Sequence, residues 1–133
     1  MANEEQPAAK YIKNQLQQNF PIITKVGILD DRYVAGTEKK SVHAQGRAVD
    51  IYLSIKNDEE RNLADLLFKA FISHGPTVGI YCVIWNHKMW STKLKKTEKY
   101  WNDKLKPHTD HIHIEILTSK SSNSPLVGFE SMI

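Results

Sequence analysis

The sequence predicts one domain of the α+β class, spanning residues 1–133. Its length and its 41% hydrophobic content are sufficient for a single core without disulfide bonds. Two segments have the apolar spacing of amphipathic helices, and four others are apolar or alternating, as strands are. The core is expected over about 22–118, with a helix over 7–20 before it and a loose, serine-rich tail over 119–133 after it.

The N-terminal segment is predicted to be helical over 7–20, because apolar residues recur at every fourth position and Pro21 ends the pattern. An apolar run over 22–29 is typical of a strand. The polar, charged stretch over 30–40 is then a long loop for so small a domain, and long loops often carry function.

The segment 48–53 alternates as a half-buried strand does. Val49, Ile51 and Leu53 point to one side, which leaves Asp50 on the other. We therefore expect Asp50 to face outward from the core.

The longest predicted helix begins at Asn57, which has Glu60 three residues later as in a capping box. Apolar residues line one face of this helix until Gly75 and Pro76, where we expect it to end. A buried strand follows over 79–85, and it contains the single cysteine of the chain, which is expected to be a small buried hydrophobic residue.

The lysine-rich stretch over 91–106 is predicted to be a loop with a short helical piece. The last strand, over 111–116, alternates again. Its pattern places His111, His113 and Glu115 on the face opposite the isoleucines.

Two segments contain residues that could form one metal site. His43 precedes a glycine turn and Asp50 lies on the strand after it, so both side chains could reach one point. If the last strand pairs beside this one, His113 shares a face with Asp50. Two imidazoles and one carboxylate leave a fourth tetrahedral position for water, which is typical of a catalytic zinc site.

The same segments carry two motifs. Ser-x-His-x-x-Gly-x-Ala-x-Asp runs over 41–50, and Asp-His-x-His runs over 110–113. Together they resemble the LAS metallopeptidases, a group that joins D-Ala-D-Ala carboxypeptidases, cell-wall endopeptidases including phage endolysins, and the hedgehog signalling domain. Val-Ile-Trp-Asn over 83–86, with Trp90 and Ser91, is similar to endolysin or extensin-like members.

The resemblance spans about 27–116 and implies a small antiparallel sheet with helices packed on it, hedgehog-like in fold. It implies Zn²⁺ as the cofactor, held by His43, Asp50 and His113. Asp110 stands three residues before His113, where related enzymes carry an acidic base. We therefore expect Asp110 to act as general base for the water and then as general acid toward the leaving amine, and His111 to hydrogen-bond the water or stabilise the oxyanion.

Four further residues are candidate substrate contacts. Arg32 could clamp a carboxylate, as an upstream arginine does in some relatives, and Trp85 could line a groove for wall peptide or glycan. Ser41 could orient a ligand, and His108 could assist His111.

The implied substrate is the stem or cross-link peptide of bacterial peptidoglycan. The first residues are polar and no long apolar segment follows, so neither a secretory signal nor membrane insertion is predicted. Delivery to the wall would then follow phage lysis, as for an endolysin, or injection as an interbacterial effector with an immunity protein. A monomer is expected.

Three other functions remain open from the residues. A non-haem iron oxygenase also uses two histidines and a carboxylate, although its first pair is two positions apart whereas His43 and Asp50 are seven apart. A hedgehog-like zinc module would bind without cleaving. A nucleic-acid binder is favoured only by the net charge of +3 and the pI of about 8.9, and no recognised motif accompanies that charge.

Overall fold

A computed structural model describes residues 5–28, 46–93, 97–99, 109–126 and 128–133. Along the chain the elements are α1 (Pro7–Asn19), β1 (Val26–Gly27), β2 (Ala48–Ile51), α2 (Asp58–Val78), β3 (Ile80–Trp85), β4 (Lys88–Ser91), β5 (Thr97–Lys99), β6 (Ile112–Ile116) and α3 (Phe129–Met132). Within these residues the strands form one sheet in the order β1-β2-β6-β3-β4-β5, and every neighbouring pair is antiparallel. The α+β class and the antiparallel sheet are therefore confirmed.

One face of the sheet is buried by the three helices. The core joins apolar residues of α1, α2 and α3 to Val49 and Ile51 of β2 and to the three isoleucines of β6. Since side chains alternate along a strand, the residues between them face the opposite side of the sheet. That second face carries Asp50, His113 and Glu115.

Helix α2 begins as predicted but ends later. The Asn57 side chain accepts from the Glu60 backbone N–H at 3.0 Å, which caps the first turn. Pro76 lies inside the helix, which continues to Val78. A proline inside a helix lacks the N–H that would bond four residues back, and its ring crowds that carbonyl. The helix nevertheless continues to Val78, which is buried in the core, and Gly79, at φ 108°, ends it in the left-handed conformation.

The described residues of the lysine-rich stretch, 91–93 and 97–99, include strand β5, which was not predicted; the rest of the stretch lies outside the described part of the chain. Asn86 and His87 form a two-residue turn, with φ of 48° and 68°, that returns the chain from β3 into β4. Strand β5 then pairs with β4 at this end of the sheet. Because pairing depends on a neighbouring strand, the local sequence pattern did not predict β5.

The C-terminal segment differs from the loose tail expected over 119–133. Leu126 and Phe129 are buried in the core, and the Phe129 ring packs edge-on against Tyr11 of α1 at a centroid distance of 6.1 Å. The Ala8 backbone N–H donates to the Ser121 carbonyl at 3.0 Å. Because the polar residues are interrupted by two large apolar ones, the segment packs against α1 and α2.

The first predicted strand is shorter than its apolar run. Of its described residues, 22–28, only Val26 and Gly27 pair with β2, although Ile23 and Ile28 are also buried. The predicted loop over 30–40 lies outside the described residues. In the described part of the chain, no helix combines the length and the apolarity needed to cross a membrane.

Candidate metal and catalytic site

Asp50 and His113 face each other across the β2–β6 ladder. They are directly paired in the antiparallel register, and Asp50 Oδ1 lies 3.1 Å from His113 Nδ1. The predicted direction of Asp50, away from the helix-covered core, is correct. The expectation of a half-buried strand is wrong, because Asp50 is only 5% exposed and His113 only 7%. Strand β2 lies between β1 and β6, where Asp50 is paired with Gly27 on one side and with His113 on the other.

The other nitrogen of the His113 ring is held by Glu115. Nε2 lies 2.7 Å from Glu115 Oε2, and the second carboxylate oxygen accepts from the Tyr81 hydroxyl at 2.6 Å. Alternation along β6 predicted Glu115 on this face but indicated no role for it. A carboxylate two residues beyond a candidate ligand on the same strand was the available signal.

The charges around His113 favour a cation. Burial disfavours the charged ring, but the hydrogen bonds to Asp50 and Glu115 and the charges of both carboxylates outweigh burial and raise the pKa of His113 to about 9. Burial also opposes ionisation of Glu115, yet its contacts with His113, Tyr81 and Arg47 lower the pKa of that carboxyl. The ring therefore lies between two carboxylates that are both held close to it.

The geometry is compatible with a metal ion shared by Asp50 and His113. When Nε2 donates its hydrogen to Glu115, the neutral ring keeps a lone pair on Nδ1, which faces a carboxylate oxygen. Two acceptors 3.1 Å apart repel each other unless a proton or a metal ion lies between them. Two zinc ligands in a tetrahedral site are separated by roughly 3.3 to 3.6 Å, so the observed distance is close to that of a ligand pair.

A third ligand is not supplied by the described residues, among which no group of three histidine, cysteine, aspartate or glutamate side chains could hold a metal ion. The predicted third ligand, His43, lies outside the described part of the chain. Gly46, just beyond that gap, has a φ of 72°. This confirms the predicted turn between the two halves of the motif, since positive φ favours glycine.

Asp110 and His111 lie beside this pair, immediately before β6. His111 Nδ1 is 2.7 Å from Asp110 Oδ1, and its Nε2 is 3.7 Å from Asp50 Oδ1. The Asp110 side chain is 74% exposed, so a substrate could reach it. The His111 ring also packs against Tyr52 at a centroid distance of 5.4 Å. The structure thus brings four of the five predicted metal-binding and catalytic residues together.

Trp85 is not brought to this group. It is 1% exposed in the helix-covered core, and its indole N–H donates to Asp65 of α2 at 2.9 Å. A cleft of about 430 Å³ between α2 and the β3–β4 hairpin includes Trp85 but neither Asp50 nor His113. The other three candidate substrate contacts, Arg32, Ser41 and His108, lie outside the described residues.

Cys82 is buried, as predicted, and it lies next to Glu115 across the β3–β6 ladder. Burial and the neighbouring Glu115 charge raise the pKa of its thiol well above the ordinary value. The protonated thiol is a poor nucleophile.

Comparison with protein families gives a match over most of the chain. The family model described as VldE, C-terminal domain, matches residues 1–113, a range that includes β1 to β5, α1, α2 and both motifs. No curated protein and no solved structure matches the chain.

Proposed function

We propose that this chain, which belongs to the VldE C-terminal domain family, is a zinc-dependent peptidase that hydrolyses stem or cross-link peptide bonds of bacterial peptidoglycan. The observation that carries the proposal is the Asp50–His113 pair, 3.1 Å apart and buried, with the Asp110–His111 pair adjoining it. Buried carboxylate and imidazole groups that face each other suit a bound cation, and an exposed carboxylate beside them suits proton transfer.

In this proposal His43, Asp50 and His113 hold the zinc ion. When bound, zinc lowers the pKa of a coordinated water toward about 7 and polarises the scissile carbonyl. Glu115 keeps the Nε2 hydrogen of His113, which directs the Nδ1 lone pair toward Asp50.

Asp110 accepts a proton from the attacking water and later delivers it to the leaving amine. Its contact with His111 Nδ1 at 2.7 Å orients that imidazole, whose Nε2 is directed toward the Asp50 side of the site. When both ring nitrogens carry a hydrogen, His111 donates from Nδ1 to Asp110 and is placed to donate from Nε2 to the oxyanion that forms from the substrate carbonyl.

The proposed substrate, peptidoglycan peptide, is inferred from the resemblance of the two motifs to LAS metallopeptidases and not from the proposed zinc ligands themselves. The net charge of +3 suits an anionic wall polymer. Arg32, Ser41 and His108 remain candidate contacts for the peptide. An endolysin and an injected effector, the latter with an immunity protein, are both compatible with the proposal.

Digestion of purified peptidoglycan, followed by mass spectrometry of the muropeptides, tests the proposal. Zinc-loaded protein is expected to release cleaved stem peptides, and chelated protein is not. Asp110→Ala should keep its zinc and lose about 10²- to 10⁴-fold of the rate, whereas His113→Ala should lose both. Asp58→Ala is the matched control, because that carboxylate is 84% exposed and pairs only with Arg61 among the contacts described here.

Three outcomes would contradict the proposal. Iron without zinc in protein purified with no added metal would favour the oxygenase alternative. Stoichiometric zinc with no muropeptide cleavage would favour a non-catalytic module. Full activity of Asp110→Ala would remove the assigned proton carrier.

A further inference from the structure

A hydrogen-bond chain leads away from His113 on the side opposite Asp50. Glu115 uses one oxygen for His113 Nε2, at 2.7 Å, and the other for the Tyr81 hydroxyl, at 2.6 Å. The Tyr81 oxygen in turn accepts from Arg47 Nη1 at 3.3 Å. The hydrogen-bond chain thus runs from Arg47, just before β2, through Tyr81 of β3 to Glu115 of β6.

Arg47 is itself fixed to β6. Its Nη1 donates to the Ile116 carbonyl at 2.7 Å, and its backbone carbonyl accepts from the Ile116 N–H at 2.9 Å. The guanidinium also lies over the Tyr81 ring, 5.7 Å from the centroid. The Arg47 side chain is thus held by the Ile116 backbone of β6 and by the Tyr81 side chain of β3.

The direction of every donor in this chain is determined. Arginine can only donate, so the Tyr81 oxygen accepts and its O–H must point to Glu115. A carboxylate that already accepts from a hydroxyl can also accept from Nε2–H. When the ring is neutral, the result is one tautomer of His113, with the hydrogen on Nε2 and the lone pair on Nδ1.

The hydrogen-bond chain also explains why a carboxylate, Glu115, lies in a mostly buried position. The Glu115 side chain is 19% exposed, and a buried carboxylate is unfavourable unless it is paired and hydrogen-bonded. An apolar residue would pack on this strand without that cost. A carboxylate here is accounted for if its role is to hold the ring of His113.

We propose that Tyr81 and Arg47, acting through Glu115, are positioning residues that fix the tautomer and orientation of His113 for metal binding. This inference rests on the proposed zinc site. Residues that orient a metal ligand through a hydrogen bond typically change metal affinity by about 10- to 100-fold when they are replaced.

The test compares two tyrosines that each lose a hydroxyl. Tyr81→Phe removes the bond to Glu115, whereas Tyr11→Phe removes a hydroxyl from α1, on a ring that packs against Phe129 in the helix-covered core. Zinc dissociation constants are measured by competition with a chromogenic chelator. We expect Tyr81→Phe to bind zinc about 10-fold more weakly, with its cleavage rate restored by excess zinc, and Tyr11→Phe to bind zinc as the unaltered protein does.

A second readout does not depend on zinc. In metal-free protein, NMR should show the His113 Nε2 proton as a slowly exchanging resonance, and this proton should exchange with water faster in Tyr81→Phe. Unchanged zinc affinity of Tyr81→Phe, or equal losses in both variants, would overturn the inference while leaving the zinc site intact. If the unaltered protein binds no zinc, the proposed function fails, and equal Nε2 proton exchange in both proteins then overturns the positioning chain separately.

Discussion

Raising the pH of the metal-free protein should destabilise it, because a proton on His113 satisfies the two carboxylates that flank the ring. The pKa of His113 is raised from 6.5 to about 9 in the folded chain. A raised pKa means that the folded state binds the proton more tightly than the unfolded state does. The stabilisation is therefore complete below pH 6.5 and is lost as the pH rises through 9.

The size of the effect follows from the shift. Each pKa unit corresponds to about 1.4 kcal/mol, so the free energy of unfolding should fall by about 3 kcal/mol between pH 6 and pH 9. The lowered pKa of Glu115 contributes only in the acid range, because that stabilisation is already complete above pH 4.5. The raised pKa of Cys82 reduces stability only above its ordinary value of 9.0, at the limit of this window.

Urea denaturation in the presence of a chelator, at intervals from pH 6 to pH 9, measures this dependence. A Cys82→Ala background removes the thiol contribution. His74→Gln, which replaces an exposed histidine of α2, should keep the full slope. A free energy of unfolding that stays constant across the window would refute the reasoning, since it would mean that His113 gains no stabilising proton on folding. Excess zinc should abolish the fall, because the ion takes the place of the proton.

Two stability variants test the remaining packing. Phe129→Ala should lower the free energy of unfolding by about 3–5 kcal/mol in urea denaturation, because its ring is fully buried; a loss below about 1 kcal/mol would mean that the C-terminal segment is not part of the core. Trp85→Phe should cost about 1 kcal/mol through the lost bond to Asp65 and leave zinc affinity unchanged. A large loss of zinc affinity in Trp85→Phe would contradict its separation from the Asp50–His113 face.

Local rules predicted the parts of the fold that depend on neighbouring residues. The two-residue alternation identified the face of Asp50 and His113, and the Asn57–Glu60 spacing identified the start of α2. The turn at Gly46 was predicted because only one residue type adopts its conformation readily. These features depend on a few consecutive residues.

Features set by distant contacts were not predicted. Helix α2 passes through Pro76 because burial of Val78 compensates for one missing hydrogen bond, which residue propensity alone does not indicate. The Glu115–Tyr81 bond exists only because β3 and β6 pair in one particular register. A slip by one residue would send every side chain of β6 to the opposite face.

The central position of β6 has a consequence for the order of folding. Asp50 and His113 are 63 residues apart in sequence, and β6 pairs with both β2 and β3. Closing so long a loop costs conformational entropy, and this cost is offset only when β6 forms its ladder hydrogen bonds with both β2 and β3. The two side chains therefore meet only after β6 has been synthesised, and a ribosome-bound fragment that stops before residue 112 has neither the central strand nor the paired site.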